Sequence, residues 1–102
     1  MEYYKYYYKV ENDADFHELY SKVNYENIDE IKLYYNDFKE RMKAQNRLDE
    51  YDFYENVIDE NDYFIIYDKN NRDYGTKYAK FYHYTVYFYD TSSHILYVLH
   101  SS

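Results

Sequence analysis

The residues able to do chemistry in this 102-residue chain are four histidines, a crowd of carboxylates and twenty tyrosines. His17, His83, His94 and His100 are the candidate general bases or metal ligands, yet no HxH, HxxxH or HExxH spacing occurs among them. His94 and His100 would share one face of a strand but stand about 20 Å apart, too far for one ion. Asp49, Glu50, Asp52, Glu55, Asp59, Glu60 and Asp62 crowd into one stretch. Such a crowd can share protons, hold a divalent cation, or present a strip of charge resembling a row of phosphates. A calcium loop uses glycine at its sharp turn, and this stretch has none, so no metal and no other cofactor is expected. The plainer reading is a solvated helix face. Ser92 and Ser93 precede His94 without the loop that would stabilise an oxyanion. The single glycine, Gly75, rules out a phosphate-cradling loop. The expectation is a chain without catalytic residues.

The tyrosines carry the stronger signal. They fall in runs at strand spacing, Tyr3 to Tyr8 near the start and Tyr82 to Tyr89 near the end. Tyrosine buries a large ring but must find a partner for its hydroxyl. AT-rich codons explain a high tyrosine count; they do not explain alternation.

These side chains need elements to position them. Residues 3–10 alternate as a strand, with Tyr4, Tyr6, Tyr8 and Val10 expected toward the core and Tyr3, Lys5, Tyr7 and Lys9 outward. A helix opens at residues 12–15, carries Phe16, Leu19, Tyr20 and Val23 as a stripe, and ends at Asn24. Residues 37–46 are strong helix formers, and helix is favoured over strand for 28–35, where Ile28, Ile31, Tyr35, Phe38 and Met42 share a face. Residues 48–58 read as a further helical piece. Residues 63–67 read as a buried strand, 68–75 as a turn, 77–90 as a long strand, 91–93 as a turn and 95–99 as a last strand. The fold class is therefore α+β: an N-terminal strand joins a C-terminal three-strand antiparallel meander, with two or three helices between. The length suits one domain, 1–102. The echo of Tyr25-Glu26-Asn27 in Tyr54-Glu55-Asn56 raises an alternative of two small repeated α/β motifs, 1–45 and 46–102.

Strand parity splits the tyrosines. Tyr4, Tyr6, Tyr8, Tyr82 and Tyr84 are assigned to the core, while Tyr3, Tyr7, His83, Tyr87 and Tyr89 form the expected partner-binding face, on the strand face that also holds Phe81 and Thr85. A net charge of -8 argues against backbone-driven nucleic-acid binding and against an anionic membrane surface, and it suits a basic partner. The expected function is a non-enzymatic protein-binding module taking a protein or peptide, with a homodimer compatible. Two alternatives are a nucleic-acid mimic, using the acidic strip, and a single-stranded nucleic-acid binder that stacks bases on the aromatic face. The absence of cysteine, of a signal-like stretch and of a long apolar run points to the cytoplasm.

The acidic, tyrosine-rich, cysteine- and proline-free make-up resembles small proteins of viruses with AT-rich genomes. Examples are those of filamentous viruses of hot-living archaea and the phage proteins that inhibit host defence enzymes. The resemblance lies in composition and in no motif. It implies a protein that binds one macromolecule, in the interior of a host cell.

Overall fold

Alternating aromatic and β-branched residues build a five-stranded sheet, and the longest run of helix formers crosses one face of it. The computed structural model describes residues 1–68 and 83–101. Its strands are β1 (Glu2–Tyr7), β2 (Ser21–Lys22), β3 (Tyr63–Asp68), β4 (Tyr84–Asp90) and β5 (Ile95–Ser101). They lie in the order β1-β5-β4-β3-β2, every neighbouring pair antiparallel. The helices are α1 (Asp13–Leu19) and α2 (Ile28–Ala44). The expected α+β class, the meander and the joining of the first strand to it all hold. The expected turn beyond Asp68 and residues 77–82 of the expected long strand, with Phe81 and Tyr82, lie outside the described residues.

Helix α2 is continuous from Ile28, so the favoured reading of 28–35 is correct. Its Ile31, Tyr34, Tyr35, Phe38 and Met42 are buried, at the spacing of one helical face. They pack on Phe64, Tyr84, Val86, Phe88, Tyr97 and Leu99 of the sheet. With one glycine in the chain, the helix stop falls to asparagine. Asn46 takes a left-handed φ of 57°. The amide of Asn46 then donates to the Lys43 carbonyl at 3.0 Å and that of Arg47 to the Met42 carbonyl at 2.8 Å, the paired bonds of a Schellman stop.

Three expectations fail locally. The first helix ends at Leu19, which is 73% exposed. Tyr20 turns extended and the chain enters β2, which pairs Ser21 with Phe64 and Lys22 with Tyr63. Val23 is buried, but in the core under α2 and not on the α1 stripe. Residues 48–58 are not one helix. They form two single 3-10 turns, Leu48–Glu50 and Glu55–Val57, around an extended stretch that buries Tyr51 and Phe53. Phe53 meets Tyr35, Phe88 and Tyr97 at once, an anchorage no single helix face supplies. The sequence echo is not a structural repeat either. Its first copy leads through an asparagine turn into the seventeen-residue α2, its second into one 3-10 turn and a loop.

Several tyrosine hydroxyls find carboxylates. Tyr34 donates to Asp68 at 2.7 Å, Tyr84 to Asp37 at 2.7 Å and Tyr3 to Asp52 at 2.5 Å; Tyr89 donates to Asp13 and Tyr4 to Glu2. A phenol donating to a charged acceptor is among the stronger neutral-to-ion bonds. Burial, reinforced by these carboxylates, raises the pKa of Tyr3, Tyr84 and Tyr89, keeping them as neutral donors. Part of the acidic excess therefore satisfies the tyrosines. Tyr51 is the exception: its hydroxyl is buried with no partner among the described residues. An unsatisfied buried hydroxyl costs about 1–3 kcal/mol. Tyr51→Phe is thus expected to leave stability unchanged or raise it by about 1 kcal/mol, while Tyr84→Phe lowers it by about 1–2 kcal/mol. Urea titrations of the two variants check this contrast, and a loss on Tyr51→Phe as large as on Tyr84→Phe refutes it.

Candidate aromatic groove on the open sheet face

The sheet has two apolar faces, and the described residues fully cover only one of them. On the face opposite α2 point Tyr63, Thr85, Tyr87, Tyr89, Leu96, Val98 and His100, together with Tyr4 and Tyr6, as the strand registers require. Helix α1 reaches one end of this face. There Phe16 packs in a second buried cluster with Tyr89, Leu96 and Val98. The Phe16 and Tyr89 rings stack at 3.8 Å and 6°, and Tyr8 sets its edge against Phe16 at 5.1 Å. With seven residues, α1 is too short to cover the rest.

What remains is a groove of about 390 Å³ running along β5. Its floor is Leu96 and Val98. Tyr4, Tyr6 and Tyr8 form one side, and Tyr87 with Thr85 the other. The cause is side-chain length: the strand in the middle carries short aliphatics while its neighbours carry long rings. Tyr4, Tyr6 and Tyr8 are 44%, 48% and 39% exposed. His100 closes one end and is oriented by Thr85, whose hydroxyl lies 2.8 Å from its Nδ1. Tyr67, on β3, extends the aromatic surface by meeting Tyr87 edge-on. The groove's outer wall, β1, is an edge strand of the sheet.

This arrangement reverses the expected parity of β1. Tyr3 packs against the core under α2, edge-on to Tyr51 at 5.1 Å. Lys5 points the same way and is neutralised by Asp52 at 2.6 Å. Burial opposes ionisation of Asp52, but the bonds from Lys5 and Tyr3 outweigh it and hold the carboxyl below its usual range. Alternation specifies which residues share a face. It does not specify which face receives the helix, and a lysine whose charge is paired can sit on the covered side.

The expected contact set therefore does not converge. Tyr3 and Tyr7 lie on the α2 face of the sheet, and Tyr87 and Tyr89 on the other. Tyr89 is fully buried and belongs to a core. His83 is exposed at the entrance to β4. Of the five, only Tyr87 lines the groove. Tyr84, assigned to the core, is there; Tyr4, Tyr6 and Tyr8, also assigned to the core, form the groove wall instead.

The acidic strip also disperses. Glu50 pairs with Arg47 at 3.2 Å, Asp52 with Lys5, and Glu55 with Lys32 at 3.8 Å. Asp59 folds back to accept the Asn61 amide, and Asp49 and Glu60 are exposed. Asp62 is buried. It accepts the Thr91 amide at 2.9 Å and the Asp59 amide at 3.2 Å, bracing the turn before β3 against the one between β4 and β5. Burial, with Asp90 and Asp59 nearby, pushes its pKa up to about 7.

Sequence reasoning missed one side-chain cluster. His94, at a left-handed φ of 58°, places its Nδ1 3.2 Å from Asp13 and 3.3 Å from the Tyr89 hydroxyl. Residues 81 positions apart meet here, and no local spacing announces that. The cluster ties α1 to the β4–β5 turn. The other histidines go separate ways, His17 to the Tyr63 hydroxyl at 3.1 Å and His100 to Thr85. Among the described residues no group of three or more potential ligands is placed to hold a metal ion.

No protein-family model, no curated protein and no solved structure matches this chain. Among the described residues, no helix is long and apolar enough to cross a membrane.

Proposed function

We propose that the chain is a non-enzymatic binding module that takes an extended segment of a protein partner along β1, with side chains of that segment seated in the aromatic groove. One observation carries this reading: a groove of about 390 Å³ walled by half-exposed tyrosines borders an edge strand. An edge strand offers main-chain hydrogen bonds to an added strand, and a pocket beside it reads alternate side chains. Tyrosine supplies rigid contact area at low entropy cost. Base stacking has less support, because among the described residues neither lysine nor arginine lines the groove. Mimicry of nucleic acid has less support too, since four of the seven carboxylates are paired or buried within the fold. The acidic, cysteine-free composition suits a cytoplasmic setting, that of a host cell for a viral or mobile-element protein.

The test compares proteins captured by the immobilised wild type with those captured by Tyr6→Ser/Tyr87→Ser and by Tyr25→Ser/Tyr54→Ser. Tyr25 and Tyr54 are exposed but lie outside the groove. Loss of capture by at least about tenfold is expected for the groove pair alone, at a stability cost of about 1–2 kcal/mol for trimming two partly exposed rings. Equal capture by the two double variants refutes the assignment.

A further inference from the structure

We propose that the groove's anchor ligand is an arginine side chain of the captured segment, its guanidinium stacked on the tyrosine wall and paired with Glu2. This rests on the open face being the binding face.

Three observations converge on a cation. The first is the lining: Tyr4, Tyr6, Tyr8 and Tyr87 line one channel that no lysine or arginine among the described residues enters. The Tyr4 and Tyr6 rings stand 6.3 Å apart at 34°, an open pair and not a closed stack. The negative face of a phenol ring attracts a cation, more so where water is partly excluded. The second is how the molecule treats its other rings. Lys5 sits over Tyr7 at 5.7 Å, Lys22 over Tyr63 at 4.8 Å and Lys39 over Tyr35 at 5.9 Å. Among the described residues, no lysine or arginine stands over a ring of the groove. The described residues supply cations to rings outside the groove and none to its walls, which suits an outside donor.

The third is Glu2. It lies on the same face of β1 as Tyr4 and opposite His100, at the mouth of the groove. Its carboxylate accepts the Tyr4 hydroxyl and has no ion-pair partner among the described residues. That hydrogen bond raises the Tyr4 pKa, keeping the ring a neutral donor beside a charged acceptor. A planar guanidinium meets both demands together, since it stacks on aromatic faces and presents a fork of N–H donors to a carboxylate; an ammonium does only the second as a point charge. The net charge of -8 draws such a segment in from a distance. The volume suits one long side chain.

The probe is a capped pentapeptide, Ala-Val-Arg-Val-Ala, beside its citrulline and norleucine counterparts. Each is titrated into the full chain while the methyl resonances of Leu96 and Val98 are followed by NMR. The arginine peptide is expected to shift these methyls and to bind about tenfold tighter than the citrulline peptide, which keeps the shape and loses the charge. Glu2→Gln, at an exposed position that leaves the core untouched, is expected to weaken the arginine peptide about threefold and the citrulline peptide not at all. If all three peptides move the groove methyls with equal affinity, the anchor is wrong and the open-face reading stands. If none moves them, the anchor is equally wrong, and the capture experiment with Tyr6→Ser/Tyr87→Ser decides the open-face reading on its own.

Discussion

Tyr89→Ser is expected to cost about 3–5 kcal/mol of folding stability, the range of large-to-small changes at buried aromatic sites. The ring is fully buried and stacks on Phe16, with Tyr8 edge-on to it at 6.2 Å. Its hydroxyl donates to Asp13 and lies beside His94. Serine removes the ring, empties the middle of the second core cluster and leaves Asp13 without its phenol. Helix α1 has seven residues and one buried side chain, Phe16, so its docking depends on this stack. A helix of two turns has little stability of its own. Tyr89→Phe keeps the stack and loses only the hydroxyl bonds, which predicts a loss of about 1–2 kcal/mol. Urea denaturation followed by far-UV circular dichroism separates the two variants. A loss below about 1 kcal/mol for Tyr89→Ser would overturn the assignment of this ring to a core. Because Tyr89 is structural, binding studies should change Tyr6 and Tyr87 and leave Tyr89 intact.

Asp62→Asn is expected to change the pH dependence of stability more than its magnitude at any single pH. In the folded chain Asp62 titrates at about 7, pushed up mainly by burial; in the unfolded chain it titrates near the ordinary value of about 3.9. Between these values the native state holds a proton that the unfolded state has released. Stability therefore falls as pH rises across this window, and the contribution of the protonated form is gone above about pH 7. The total effect is on the order of 4 kcal/mol. Asparagine cannot ionise and keeps an acceptor for Thr91, but it loses the second acceptor that the Asp59 amide uses. The variant should be the less stable protein at pH 5 by about 1 kcal/mol. It should be the more stable at pH 8. Thermal or urea unfolding at the two pH values is decisive, because every other titrating group is common to both chains. Parallel stability–pH curves for the two proteins would show that Asp62 does not titrate in this window.

Much of the fold was legible because its signals are local. The strand at 63–67 follows from a short, nearly continuous apolar run, that at 95–99 from its place after a polar turn, and the helical face from Ile28 to Met42 from side-chain period. The turn before β5 follows from Thr91, Ser92 and Ser93. The failures share a physical cause. Residues 48–58 read as helical because Leu48, Tyr51, Tyr54 or Glu55, and Ile58 fall in step, yet Tyr51 and Phe53 are buried as plugs between α2 and the sheet. Tertiary contacts set their conformation. The groove was missed because it needs two facts that no window of sequence holds: that β5 lies between β1 and β4, and that its side chains there are shorter than theirs. Tyr4, Tyr6 and Tyr8 were visible as one set, but their direction was not.

The sequence by itself determined the periodicities, and with them the α+β class, the antiparallel meander and which tyrosines travel together on a face. It also determined that twenty phenols would need acceptors and that twenty carboxylates were at hand. The tertiary structure alone decided which carboxylate meets which phenol, across separations of 34 to 76 residues for the bonds of Tyr34, Tyr84 and Tyr89. It alone decided which face of the sheet receives α2. The reason is that a strand with rings on both sides is apolar on both sides. Local alternation leaves the choice degenerate, and α2, the longest of the described helices, resolves it by packing on the side of Tyr84, Val86 and Phe88, with Tyr4, Tyr6 and Tyr87 on the other side.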